Sequence, residues 1–171
     1  GLVERRDVRE RDRWGRRIVV ARSSAADFTL QDALVERGFA RVVPETNESA
    51  RLRRLLASEQ MARAARRGLW RRKRFAVFRA DRAEGAVGAF HIIEGAPVAF
   101  AERRSRAYLN FGADFRRDFT ATLPTRALKR WREQGIDPAA WIGVPVRIRG
   151  FVQWINGPSI ALKHSMQVET L

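Results

Sequence analysis

Apolar and polar positions divide the chain into a front part with two helical stretches and a rear part spaced like strands. Glu4 to Arg11 mixes both signs of charge and predicts an exposed strand. Ile18 to Arg22 is a short β-branched run, the pattern of a buried strand. Ser23 to Asp27 is a turn cluster. Thr29 and Asp32 have the spacing of an N-cap and its return partner. They predict a helix from Leu30 with Leu30, Ala33 and Leu34 on its apolar face, stopped by Gly38. Phe39 to Val43 reads as extended, and Pro44 to Glu48 as a loop. Asn47 is placed to cap a longer helix running toward Gly68, with Leu52, Leu55, Leu56, Glu59 and Ala62 on one stripe. Glu59 is the odd member, because an unpaired buried charge is costly. Arg41 is its candidate partner, which makes the pair a structural tie between helix and sheet.

From Ala86 onward the pattern changes. Ala89 to Glu94 and Val98 to Ala101 are short strands around Gly95-Ala96-Pro97. Arg106 to Phe111 and Phe115 to Leu123 flank Gly112-Ala113-Asp114, a hairpin signal. Arg126 to Gln134 reads as a helix that stops at Gly135. Val144 to Trp154 and Ser159 to Lys163 flank Asn156-Gly157, a second hairpin signal. The order of four strands, a helix and two closing strands is similar to an OB-fold. Trp131 and Trp141 are expected in the core, and neither His91 nor His164 has a partner at metal-ligand spacing.

Charge adds a partner to this outline. The chain holds 34 basic and 19 acidic residues, a net charge of +15. Residues 1–82 account for 22 and 11 of these, and the remainder for 12 and 8. The excess lies in the front part, where it would meet a polyanion. Arginine outnumbers lysine 31 to 3, which a GC-rich genome would also produce. There is no cysteine, so no disulfide and no thiolate metal site. No run of apolar residues is long enough to span a membrane.

The residues that focus the chemistry are Asp12-Arg13-Trp14-Gly15-Arg16. Gly15 admits the positive φ of a tight turn, and the turn would aim Arg16, whose planar fork suits phosphate. Such a hairpin turn is also a common solvated loop. The segments beyond it are more specific: a strand, then "LQDALVERGFARV", then "LRRLLASEQMARAARRGLW". This ordered series resembles the C-terminal half of the thermonuclease family, the staphylococcal-nuclease-like domains, over roughly Leu2 to Arg72. The resemblance implies a calcium-dependent phosphodiesterase on a five-stranded OB barrel with helices packed against it. It implies that Arg16 is the arginine that contacts the scissile phosphate. The family places its metal-binding aspartates, general-base glutamate and other phosphate arginine upstream of this turn, and the eleven residues before Asp12 supply none of those motifs. The chain opens on Gly1 rather than Met, so it is expected to be a fragment or processed product that is inactive by itself. The stretch "Ile-Gly-Val-Pro-Val-Arg-Ile-Arg-Gly" with its later "Asn-Gly-Pro" resembles the closing strands of OB domains appended to bacterial thermonuclease-like proteins.

The expected fold class is therefore mainly β with α. A partial OB barrel of staphylococcal-nuclease type with two packed helices spans residues 1–74, a linker 75–85, and a second OB-like β-barrel domain 86–171. Arg16 is the expected catalytic residue. Arg13, Trp14, Arg71, Arg72, Lys73, Tyr108, Arg147, Arg149 and Trp154 are the expected nucleic-acid contacts, and Glu59 and Arg41 are structural. Arg71 to Arg74 could equally be a solvated helix end complementing the dipole. For Tyr108 and Trp154 the favoured alternative is structural, Tyr108 packing at a barrel end and Trp154 covering a hairpin. No metal ligand or cofactor is expected in this chain, calcium being implied only for the intact family domain. The expected partners are DNA or RNA and a further chain completing the first barrel. The resemblance also implies a bacterial protein, exported or periplasmic if an upstream signal exists. A non-catalytic nucleic-acid-binding OB protein and a protein-interaction scaffold are the competing functions.

Overall fold

The computed structural model describes residues 3–11, 15–23, 28–44 and 49–171. The chain divides into two compact units, Gly1–Val42 with Glu48–Arg74, and Val43–Asn47 with Phe75–Leu171. Among the described residues no helix is long and apolar enough to cross a membrane.

The first unit begins with an antiparallel hairpin of β1 (Val3–Arg11) and β2 (Arg17–Ser23). Its register runs from Val3 opposite Ser23 to Asp7 opposite Val19, shifts, and resumes with Arg11 opposite Arg17. Helix α1 (Leu30–Glu36) comes next. Its N-terminus is the capping box that the Thr29 and Asp32 spacing predicts: the Thr29 hydroxyl accepts from the Asp32 N–H, and the Asp32 carboxylate accepts from the Thr29 N–H at 2.8 Å. Burial raises the Asp32 carboxyl pKa, but the Thr29 hydrogen bonds, Arg54 and Arg51 outweigh it and hold the group below its ordinary value.

Helix α1 ends as its sequence requires. Gly38 sits at φ +73°, its N–H donating to the Val35 carbonyl and the Phe39 N–H to the Leu34 carbonyl. This is the paired-bond stop that favours glycine. Helix α2 (Ser49–Ala64) closes with the same motif. There Arg66 takes the left-handed position at φ 50°, and the Arg67 N–H reaches the Ala62 carbonyl. A 3₁₀ turn, Gly68–Arg71, carries Trp70 back into the unit. Val35, Val42, Leu52, Ala62 and Trp70 are buried. Two expected faces differ in detail. Leu30 is 53% exposed and Val35 is the buried residue of α1. On α2, Leu52, Glu59 and Ala62 are buried while Leu55 and Leu56 are half-buried. The β-structure described in this unit is a two-stranded sheet rather than a barrel.

In the second unit one mixed sheet contains β3 (Phe78–Arg79), β4 (Phe90–Gly95), β5 (Ala99–Glu102), β6 (Arg106–Asn110), β7 (Thr120–Pro124), β8 (Val146–Trp154), β9 (Pro158–Ala161) and β10 (Val168–Thr170). The order is β3-β4-β8-β9-β7-β6-β5, with β10 pairing β8. The β3–β4 and β7–β9 pairs are parallel, and the rest antiparallel. Helix α3 (Thr125–Glu133) links β7 to β8. The paired strands do not close into the expected barrel: β5 pairs only β6. The chain itself carries β4 into β5 through Ala96, Pro97 and Val98.

Alternation explains the core. Ala107 and Leu109 on β6, Ala121 and Leu123 on β7, Val146, Ile148 and Val152 on β8, and Ile160 on β9 point inward against Phe119, Leu128 and Trp131. Trp131 and Trp141 pack in a T-shaped pair with centroids 6.4 Å apart; Trp131 is in the core as expected, while Trp141 is partly buried and packs against it. His164 is a cap, its Nδ1 accepting from the Met166 N–H at 3.0 Å. His91 lies edge-on to Phe78.

Candidate nucleic-acid interface

In the first unit the hairpin end concentrates positive charge. Gly15 adopts φ +77°, the left-handed turn geometry its lack of Cβ permits. The exposed Arg11 guanidinium donates to the Gly15 carbonyl at 2.6 Å, fixing the turn from below. Arg16 and Arg17 are exposed beside it. Three always-charged groups therefore share one end of the hairpin. Arg13 and Trp14 lie outside the described residues, as does the expected helix cap Asn47.

A second basic surface of the same unit lies around the ends of both helices. Gly38 and Gly68 meet backbone to backbone, with the Leu69 N–H donating to the Gly38 carbonyl at 2.8 Å. A Cβ on Gly38 would stand 2.4 Å from the Arg67 carbonyl oxygen, and one on Gly68 2.5 Å from the Gly38 oxygen. Both glycines also have positive φ. This contact brings Arg37 and Phe39, after α1, beside Arg67, Arg71 and Arg72, after α2. Together with Gly68 they line an open cleft of about 570 Å³. The Arg71 Nε donates to the Arg66 carbonyl, and Arg67 to the Glu36 carbonyl. Arg71, Arg72 and Lys73 are all exposed, and of these the cleft gathers Arg71 and Arg72.

Glu59 sits inside the unit, fully buried. Its Oε1 accepts the Val42 N–H at 2.7 Å, and Arg63 approaches Oε2 at 4.0 Å. Burial lowers the Arg41 pKa, and the Glu59 charge pulls it the other way, so the two groups feel each other. Backbone and two arginines thus surround the carboxylate, an arrangement that ties α2 to the chain after α1.

In the second unit the expected contacts fall in different places. Tyr108 lines a groove of about 360 Å³ with Arg106, Asn110, Phe115, Ile155 and Asn156 among its other walls. Phe115 and Ile155 are 57% and 60% exposed, and Trp154, at the end of β8, is 59% exposed. Arg147 and Arg149 are not on this groove. Arg147 bonds Glu94 at 2.7 Å and Glu169 at 3.2 Å, while Arg149 is only 2% exposed and reaches Glu169 at 3.5 Å. The surface role expected for Arg149 is corrected: its guanidinium is buried as part of a network joining β8 to β10. The groove residues Arg106, Phe115 and Ile155 were not anticipated. Alternation along β6 placed Arg106 on the face of Tyr108, and that was the available signal.

The chain is strongly basic and α+β, with arginines gathered at exposed turns and helix ends. Residues 3–72 match the family model of staphylococcal nuclease homologues, so this segment is similar to that family. That match ends before Phe75–Leu171, the main segment of the second unit. No curated protein matches the chain.

Proposed function

We propose that this chain is the nucleic-acid-holding part of a thermonuclease-like phosphodiesterase, with Arg16 as its contribution to the phosphate site. The observation that carries this is the family match over residues 3–72, with Arg16 exposed at a glycine turn inside it. In phosphoryl chemistry a fixed guanidinium stabilises charge that develops on the phosphate oxygens. Calcium requires several oxygen ligands at once. Among the described residues no three His, Cys, Asp or Glu side chains come together in a metal-binding group. No step through calcium is assigned to this chain.

The second unit is proposed as an OB-like binding module. In support, β7 and β9 are parallel, α3 lies between β7 and β8, and β4 and β5 follow each other directly in the chain at the two sides of the order. Its groove on β6 and β7 combines an aromatic platform with Arg106, the combination that holds single strands. The β1–β2 hairpin pairs with no further named strand among the described residues, which favours a further chain alongside it.

Two measurements test the proposal. Arg16→Ala should weaken binding of a labelled oligonucleotide while leaving the melting temperature in place. A collapse of the melting temperature with unchanged binding would make Arg16 structural and overturn its phosphate role. The purified chain should give no calcium-dependent cleavage of single-stranded DNA, and reproducible cleavage would show that it is catalytically complete. Loss of all oligonucleotide binding would favour a protein-interaction scaffold instead.

A further inference from the structure

We propose that the cleft formed by Arg37, Phe39, Arg67, Arg71 and Arg72 is a second nucleic-acid site in the first unit, separate from Arg16 and specific for single strands. It rests on the nucleic-acid role proposed above and names a place and a substrate class for it. Three observations carry it.

The first is charge. Four guanidinium groups line one open cleft. None of the four forms an ion pair with a carboxylate among the described residues, whereas Arg54, Arg79, Arg132 and Arg147 all do. Four like charges left together repel one another unless a polyanion shares the space, and planar forks match phosphate oxygens in pairs.

The second is Phe39. It is 60% exposed, and it stands among the arginines rather than on an apolar face. A lone exposed phenylalanine inside a basic cleft offers a flat face for a base to stack on, and stacking needs an unpaired base. A duplex would present only phosphates, and the ring would find no partner.

The third is construction. The Gly38–Gly68 contact fixes both walls, because neither position admits a Cβ. Arg66 is held at φ 50°, a conformation unfavourable for a side chain of its kind, and its carbonyl accepts the Arg71 Nε.

The test uses the whole chain and a short labelled oligothymidylate, with binding read by fluorescence anisotropy across a salt series. Arg37→Gln/Arg72→Gln removes two of the four charges, and neither side chain makes a hydrogen bond among the described residues. With about 0.7 counterions released per phosphate contact on a single strand, the double variant should reduce the salt slope by about 1.4. Phe39→Ala should lower affinity about fivefold or more with the slope unchanged, since stacking is lost and charge is not. Melting temperatures within a degree or so of the parent would confirm that both variants fold. If both variants bind as the parent does while Arg16→Ala binds weakly, the cleft proposal is overturned and the Arg16 role stands. If the parent binds no oligonucleotide at low salt, both are overturned. If polyglutamate displaces the oligonucleotide at equal charge and Phe39→Ala weakens both ligands alike, the cleft is a site for acidic protein and the proposal is overturned.

Discussion

Removing the Glu59 carboxylate should cost the first unit a large fraction of its stability. Glu59 is fully buried, accepts the Val42 N–H at 2.7 Å and lies 4.0 Å from Arg63. Glu59→Ala would strip the acceptor from a buried amide, which costs about 1–3 kcal/mol. It would also leave Arg63 and the half-buried Arg41 without their counter-charge, and breaking a buried pair from one side costs about 3–5 kcal/mol. The two losses overlap, so about 3–5 kcal/mol in total is expected. A unit of about 70 residues is stable by roughly 4–10 kcal/mol, so Glu59→Ala should leave it close to unfolding. Glu59→Gln keeps an oxygen for Val42 but removes the same counter-charge, so it should be milder than Glu59→Ala by only about 1 kcal/mol, the restored acceptor. Glu59→Leu should fall between them, since packing replaces part of what the pair supplied. Urea denaturation read by circular dichroism gives the order, and amide exchange at Val42 reports the bond itself. Glu59→Ala costing under about 1 kcal/mol, with Val42 exchange unchanged, would refute the structural role. A double-mutant cycle showing no coupling with Arg41 would leave Val42 and Arg63 as the partners that matter.

The remaining predictions concern the helix stops and a titrating cap. Gly38→Ala should destabilise the first unit by roughly 2–4 kcal/mol, combining left-handed strain with a backbone collision; an unchanged melting temperature would contradict the close approach. Arg66→Gly should stabilise the same unit by about 0.5–1 kcal/mol, since the left-handed cost exceeds the extra chain entropy of glycine; a lower melting temperature would show that Arg66 makes a compensating contact. Burial pushes His164 below its ordinary value of 6.5, and its Nδ1 must stay unprotonated to accept the Met166 N–H. A folded-state value below the unfolded one means the unfolded chain binds more protons, so stability of the second unit is full above 6.5 and falls as pH drops below it. His164→Asn keeps a cap acceptor and should flatten that fall, measured as urea midpoints across pH; an equal fall in the variant would assign it elsewhere.

Local rules made much of this architecture legible. The Thr29–Asp32 box, the Gly38 stop and the hairpin signals around Asn156-Gly157 are set by residues a few positions apart, and each appears where its chemistry requires. Long-range partners were not legible. Arg149 reads as a surface cation until β10 brings Glu169 beside it, 20 residues further along the chain. Residues 75–85 read as a linker because alanine-rich 3₁₀ turns carry no apolar period. In the structure Phe78–Arg79 forms β3 and Ala83 is buried. Phe115 to Leu123 reads as one strand, but Asp114 accepts from the Arg116 and Asp118 N–H groups, so a turn occupies the first part and β7 begins at Thr120. At the candidate interface the sequence pointed to Arg16, Arg71 and Arg72. The cleft that unites Arg71 and Arg72 with Arg37 and Phe39 depends on two glycines 30 residues apart meeting across space.

The central claim is that the arginines of this chain hold the phosphates of a nucleic acid, and are not merely a consequence of composition. The most direct measurement is the dependence of single-strand affinity on salt concentration for the unaltered chain. Three to five phosphate contacts, at about 0.7 released counterions each, predict a log–log slope of about −2 to −3.5. A slope near zero, or no binding at low salt, would contradict the account.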